Sequence, residues 1–165
     1  MAKAKTAVFF IRRSVDLSAG APVALTIDTS AYVDPADRQG LMIEEVDYVF
    51  YDNSTNLPIQ TTNKKIAVQL LSGDYTALQA YDEEDLVSSA GLVFDGQSGA
   101  SQATDIYPDA LATPGGRIVV DDSMTLVGDA SAAITNLSAA VLIKAKVVTL
   151  SNKDYMALAL QTVAN

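Results

Sequence analysis

The chain has 165 residues, 20 acids against 11 bases for a net charge of −9, and 49% apolar against 19% charged residues. That length suits a single domain over 1–165, able to bury about 70% of its unfolded surface. Histidine, cysteine and tryptophan are all absent, which excludes disulfides, thiolate and imidazole metal sites, and Ser-His-Asp or Cys-His catalysis.

Near the start, Thr6 to Ile11 is too short for a signal-peptide core and Arg12-Arg13 interrupts it. Neither an export signal nor a membrane anchor is therefore expected, and no apolar run reaches the roughly 18–20 residues that cross a bilayer. Ala7 to Leu17 reads as a first strand, broken by Gly20-Ala21-Pro22. Val23, Leu25 and Ile27 alternate with Ala24, Thr26 and Asp28, the period of a strand with one buried face. Asp34 to Gly40 is a loop with a Pro-initiated turn. Leu41 to Tyr51 is the clearest strand: Val46, Tyr48 and Phe50 share one side, and Val49 and Tyr51 keep the other partly apolar. That two-sided pattern predicts a central or covered strand. Asp52 to Pro58 is a turn, and Ile66, Val68 and Leu70 alternate in the next strand, which ends at Ser72-Gly73-Asp74.

Asp82 to Ala90 is predicted as a short helix, capped by Asp82 with acids in its first turn. Gly91 to Gly116 is rich in small and turn residues, so it reads as a long irregular loop in which Leu92-Val93-Phe94 is the strand-like piece. Arg117 to Val120 and Met124 to Val127 flank Asp121-Asp122-Ser123 as a hairpin-like or bulged pair. Val141, Ile143, Ala145 and Val147 give a long strand a dry face, with Leu142, Lys144, Lys146 and Val148 on the other. Ser151 opens a C-terminal helix with Asp154 in a capping-box-like position. Tyr155, Met156, Leu158, Leu160 and Val163 spread apolar groups around nearly all of it, which predicts burial on several sides, one of them against another subunit. About eight short strands with one or two short helices define the fold class: mainly β, an antiparallel two-sheet sandwich or single jelly-roll barrel.

The acidic clusters are the candidates for chemistry. Asp34 with Asp37, Asp82 to Asp85, and Asp121-Asp122 offer oxygen ligands suited to calcium. Asp52 to Asn56 resembles a calcium loop, but Leu57 and Asn63 stand where its glycine and distal glutamate belong. Turn formation, capping and solubility are the favoured accounts of all four. Paired carboxylates also suit glycoside hydrolysis; the stacking tryptophans of sugar clefts are missing, and Tyr48, Tyr51 and Tyr155 fall where core packing explains them. Pro114-Gly115-Gly116-Arg117 precedes a strand-like run, so it reads as a turn and not as a phosphate cradle. Arg12-Arg13 and Lys64-Lys65 form a small basic patch able to touch nucleic acid or membrane weakly, with solvated strand ends as the favoured reading. No catalytic, cofactor-binding or metal-ligating residue is assigned, and no small-molecule substrate is expected.

Ser14 to Ser18, Ile27 to Asp34, Val46 to Asp52 and the closing segment Val147 to Val163 resemble single jelly-roll major coat proteins of tailless icosahedral viruses with an internal membrane. The Thermus phage and haloarchaeal virus types are examples. The resemblance implies an upright β-barrel subunit that builds capsomers with copies of itself or sister coat proteins in the virion, and it carries no catalytic residues over. The expectation is therefore a non-enzymatic shell subunit made in the host cytoplasm. A carbohydrate- or calcium-binding sandwich, or a minor phage decoration protein, is the alternative.

Overall fold

The computed structural model describes residues 2–59, 61, 63–95, 101–107 and 116–163, of which 101–107 and 161–163 are described as backbone alone. Among the described residues ten strands and one helix follow in chain order: β1 (Lys3–Ala4), β2 (Phe9–Asp16), β3 (Val23–Asp28), β4 (Gln39–Asp52), β5 (Lys64–Ser72), β6 (Leu86–Phe94), β7 (Ser101–Tyr107), β8 (Arg117–Val119), β9 (Ser123–Ala130), β10 (Leu137–Thr149) and α1 (Asn152–Val163). Sheet A runs β1-β10-β4-β8, with β2 joining β10 beside β1, and sheet B runs β3-β9-β5-β6-β7.

Every pairing is antiparallel, and four of them are nested: β2 with β10, β3 with β9, β4 with β8, β5 with β6. One long hairpin, closed at the β5–β6 turn and wound so that alternate pairs fall in opposite sheets, is the jelly-roll topology. The two-sheet sandwich expected from the period-two pattern is therefore the fold, with β1 and β7 added to its eight strands.

The core lies between the sheets, where the inward parity of each strand meets its opposite. Leu17, Leu41, Ile43, Leu70, Met124, Leu126, Leu137 and Ile143 are wholly buried there. Packing is close enough that a Cβ on Gly128 would lie 2.6 Å from Leu17 Cδ2, so a larger residue there would force the buried Leu17 side chain to move. Gly20, at φ +65, turns the chain out of β2 toward the other sheet in a conformation that glycine tolerates best. The Tyr48 hydroxyl is buried in this core beside Ser88 Oγ, neither with a well-formed hydrogen bond among the described residues. Burial pushes the Tyr48 phenol well above its ordinary pKa, Ser88 and the Leu70 backbone opposing it.

Three sequence expectations are corrected. Asp82 to Ala90 is not a helix: Asp82 to Asp85 is turn without helix, and β6 begins at Leu86. Leu86 pairs with Leu71, Ser88 with Leu70 and Ser89 with Gln69, so burial in a sheet overrides the local capping signal. The Gly91–Gly116 stretch is not one long loop, because β6 runs to Phe94 and Ser101–Tyr107 forms β7 on its edge. Pro114 and Gly115 lie outside the described residues. Arg117 to Val120 and Met124 to Val127 do not pair, since β8 joins β4 in sheet A while β9 joins β3 and β5 in sheet B. Asp121-Asp122 is the crossing between sheets, not a hairpin tip.

The C-terminal helix forms where predicted. Ser151 caps it, its Oγ accepting the Asp154 N–H at 3.2 Å. Tyr155 and Leu158 pack with Met42, Val148 and Leu150 on the outer side of sheet A. In the single chain Met156 and Leu160 stay 57% and 62% exposed, so the described part of this helix is covered on the side of Tyr155 and Leu158.

Candidate functional site

The acidic clusters come first, because sequence nominated them. Asp34 Oδ1 accepts the N–H of Ala36 at 2.9 Å, and Asp52 Oδ1 accepts those of Ser54 and Thr55 at 2.8 and 3.1 Å. Both are carboxylates turning their own backbone, the role the composition favoured for them. The Ser54 bonds hold the Asp52 pKa below its usual value. Asp37 instead meets Lys5 at 3.6 Å and the Gln39 amide at 3.0 Å.

Two of the nominated clusters do converge. Ser72 Oγ donates to Asp121 Oδ2, Tyr75 Oη donates to buried Asp85 at 2.7 Å, and the Arg117 guanidinium bonds the Glu84 carbonyl. Burial raises the Asp121 pKa, with Ser72 opposing it and the charges of Asp85 and Asp122 adding to it. Burial first, then the Asp85 carboxylate, pushes Tyr75 up as well. This cluster seals the end of sheet B where the 73–85 loop leaves and returns. Among the described residues no three acids gather as a metal-ion set.

The basic pairs separate. Arg12-Arg13 is in mid-strand on β2 in sheet A, and Lys64-Lys65 opens β5 in sheet B. Arg13 shares the inward parity of Ile11 and Val15 yet is exposed, and its Nη1 donates to the Arg12 carbonyl at 2.8 Å. A charge on the inward parity of an edge strand hinders further strand addition.

What remains is the outer face of sheet A. Cross-strand rows run Phe10–Lys144–Glu45, Arg12–Leu142–Asp47, Ser14–Ala140–Val49 and Asp16–Ser138–Tyr51 over β2, β10 and β4. At one end of β10, α1 covers Val148 and Met42. A bulge in β4 at Glu44 then sets two acids against two lysines, Lys146–Glu44 at 2.5 Å and Lys144–Glu45 at 3.3 Å. Beyond these ion pairs no described residue covers the sheet, which forms a shallow open groove of about 500 Å³ lined by Arg12, Ser14, Asp47, Val49, Tyr51 and Leu142. Phe10 and Val49 are each 54% exposed. Sequence expected the second side of Leu41 to Tyr51 and of the helix to be covered, and in the single chain Val49, Met156 and Leu160 are among the exposed groups. It missed Phe10 and Leu142, whose parity was readable but whose strands are neighbours only in the folded sheet. Tyr51, expected in the core, lines the groove.

No protein-family model matches this chain, and none of the curated proteins is significantly similar to it.

Proposed function

We propose that this chain is a structural coat subunit of an icosahedral virus-like shell, working by packing against copies of itself or sister subunits and not by catalysis. The jelly roll is compatible with that role but is shared by lectins and cupins, so fold alone does not decide it. The observation that carries the reading is the exposed apolar set Phe10, Val49, Met156 and Leu160, on one open sheet face and one helix, which the described residues leave uncovered. Large apolar groups grouped this way mark association surfaces. The lack of histidine and cysteine, and the use of Asp34 and Asp52 in backbone turns, support a role without a reaction centre.

The test is light scattering with negative-stain microscopy of the purified protein. Closed symmetric oligomers or larger shells are expected. A strictly monomeric species at high concentration, whose melting temperature rises with calcium or a sugar, would overturn the proposal in favour of a ligand-binding sandwich.

A further inference from the structure

We infer that the bare groove of sheet A docks face to face on the same groove of a second copy, about a two-fold axis parallel to β10 that passes over Leu142. This deepens the coat-subunit reading and rests on it. The first argument is charge. The chain carries −9 overall, but this face is close to balance: Arg12 and Lys144 are cations and Asp16, Glu45 and Asp47 anions on three adjacent strands, and Arg13, although of inward parity, lines the same groove from the β2 edge. A second copy meets no net repulsion here, whereas nucleic acid or an anionic membrane finds no net positive field.

The second argument is pattern. Arg12 and Asp47 flank Leu142 in one row, on opposite sides of β10. Neither side chain has an ion pair or hydrogen bond among the described residues. An isologous contact needs a self-complementary patch. A two-fold axis along β10 exchanges the β2 and β4 sides and sets Arg12 over the second copy's Asp47, twice, with Leu142 on Leu142 and Ala140 on Ala140. An axis across the strands sets Arg12 on Arg12 and Asp47 on Asp47, which like-charge repulsion opposes. The chosen axis also sets Lys144 on Lys144, each already paired with its own Glu45, so the two unpaired Arg12–Asp47 contacts decide between the two ways of stacking this face on itself.

The third argument is what obstructs the alternative. Strand addition at the β2 edge is hindered by Arg13, which caps the Arg12 carbonyl, so the face is the open surface and the edge is not. Three strands about 4.8 Å apart and four rows about 6.6 Å apart, one for every second residue, give a footprint of about 400 Å². That is half of the roughly 800 Å² per partner of a standard stable interface. One such contact is weak alone and gains its strength when many are closed into a shell.

The experiment is sedimentation velocity of the full chain at concentrations rising to its solubility limit, for wild type, Arg12→Glu, Asp47→Arg and the double reversal. Each single reversal should weaken association about tenfold or more, and the double should restore it, since the exchanged pair is again self-complementary. Melting curves that match wild type show that all three variants fold. Wild-type association that ignores the reversals, or a double variant no better than the singles, overturns this face and leaves the coat-subunit reading standing. A wild type that stays monomeric throughout removes both. Arg12→Glu that releases the chain from anionic vesicles without changing self-association also overturns it, in favour of a lipid-facing role.

Discussion

The two outer faces of this sandwich meet the same physical problem in different ways. Sheet B turns Leu71, Leu86 and Val127 outward, and all three are buried, because the 73–85 loop folds back over them with Tyr75 and Leu78. Gln69, itself buried on that face, pins the loop as a strand would: its side chain donates to the Gln79 carbonyl at 2.9 Å and accepts the Gln79 N–H at 2.7 Å. Sheet A also turns apolar groups outward. Its helix covers Met42, Val148 and Leu150, and past the Lys146–Glu44 and Lys144–Glu45 pairs nothing among the described residues covers the rest. Outward apolar groups under the loop serve the stability of the monomer. Those in the open groove contribute little to it and are available to another molecule.

That contrast can be broken by mutation. Leu71→Ala should cost about 2–4 kcal/mol in chemical denaturation, as for a wholly buried leucine, although it points away from the main core. Val49→Ala in the open groove should change stability by no more than about 0.5 kcal/mol while weakening association. Equal losses at the two positions would mean that the faces do not differ. A smaller effect sharpens the role of the loop: Gln69→Ala leaves the Gln79 N–H and carbonyl without partners and should cost about 1–2 kcal/mol. Faster hydrogen exchange at the Gln79 amide is its signature, and unchanged exchange there would show that the loop is held by Tyr75 and Leu78 alone.

The smallest expected effect is electrostatic and lies where the loop meets the β8–β9 crossing. Asp121 has its pKa raised in the fold by burial. A raised carboxylate favours folding while it is protonated, and that contribution fades as pH rises through the folded-state value. Ionised Asp121 therefore weakens the fold at neutral pH, and Asp121→Asn should raise the melting temperature at pH 7 by about 1–3 °C, with no gain at acidic pH. Asp52, lowered by its Ser54 bonds, acts with the opposite sign: its contribution is present at neutral pH and lost as pH falls through its folded value. A variant at Asp121 that loses stability at pH 7 would show that the Ser72 bond outweighs the burial.

The sequence alone determined the mainly β character and most strands, because alternation in Val23–Asp28, Leu41–Tyr51, Ile66–Leu70 and Val141–Val148 records which side of each strand is dry. It determined the helix start at Ser151 and the turns at Asp34 and Asp52, where a residue bonds backbone within a few positions of itself. It also fixed the absence of imidazole and thiol chemistry. Local signals failed where burial opposed them, as at Asp82–Ala90, whose acids resemble a helix start but whose Leu86, Val87 and Ala90 are packed in a sheet. The open groove belonged wholly to tertiary structure. Arg12, Leu142 and Asp47 form one row only because β2, β10 and β4 pair over long stretches of chain, and no window of sequence contains all three.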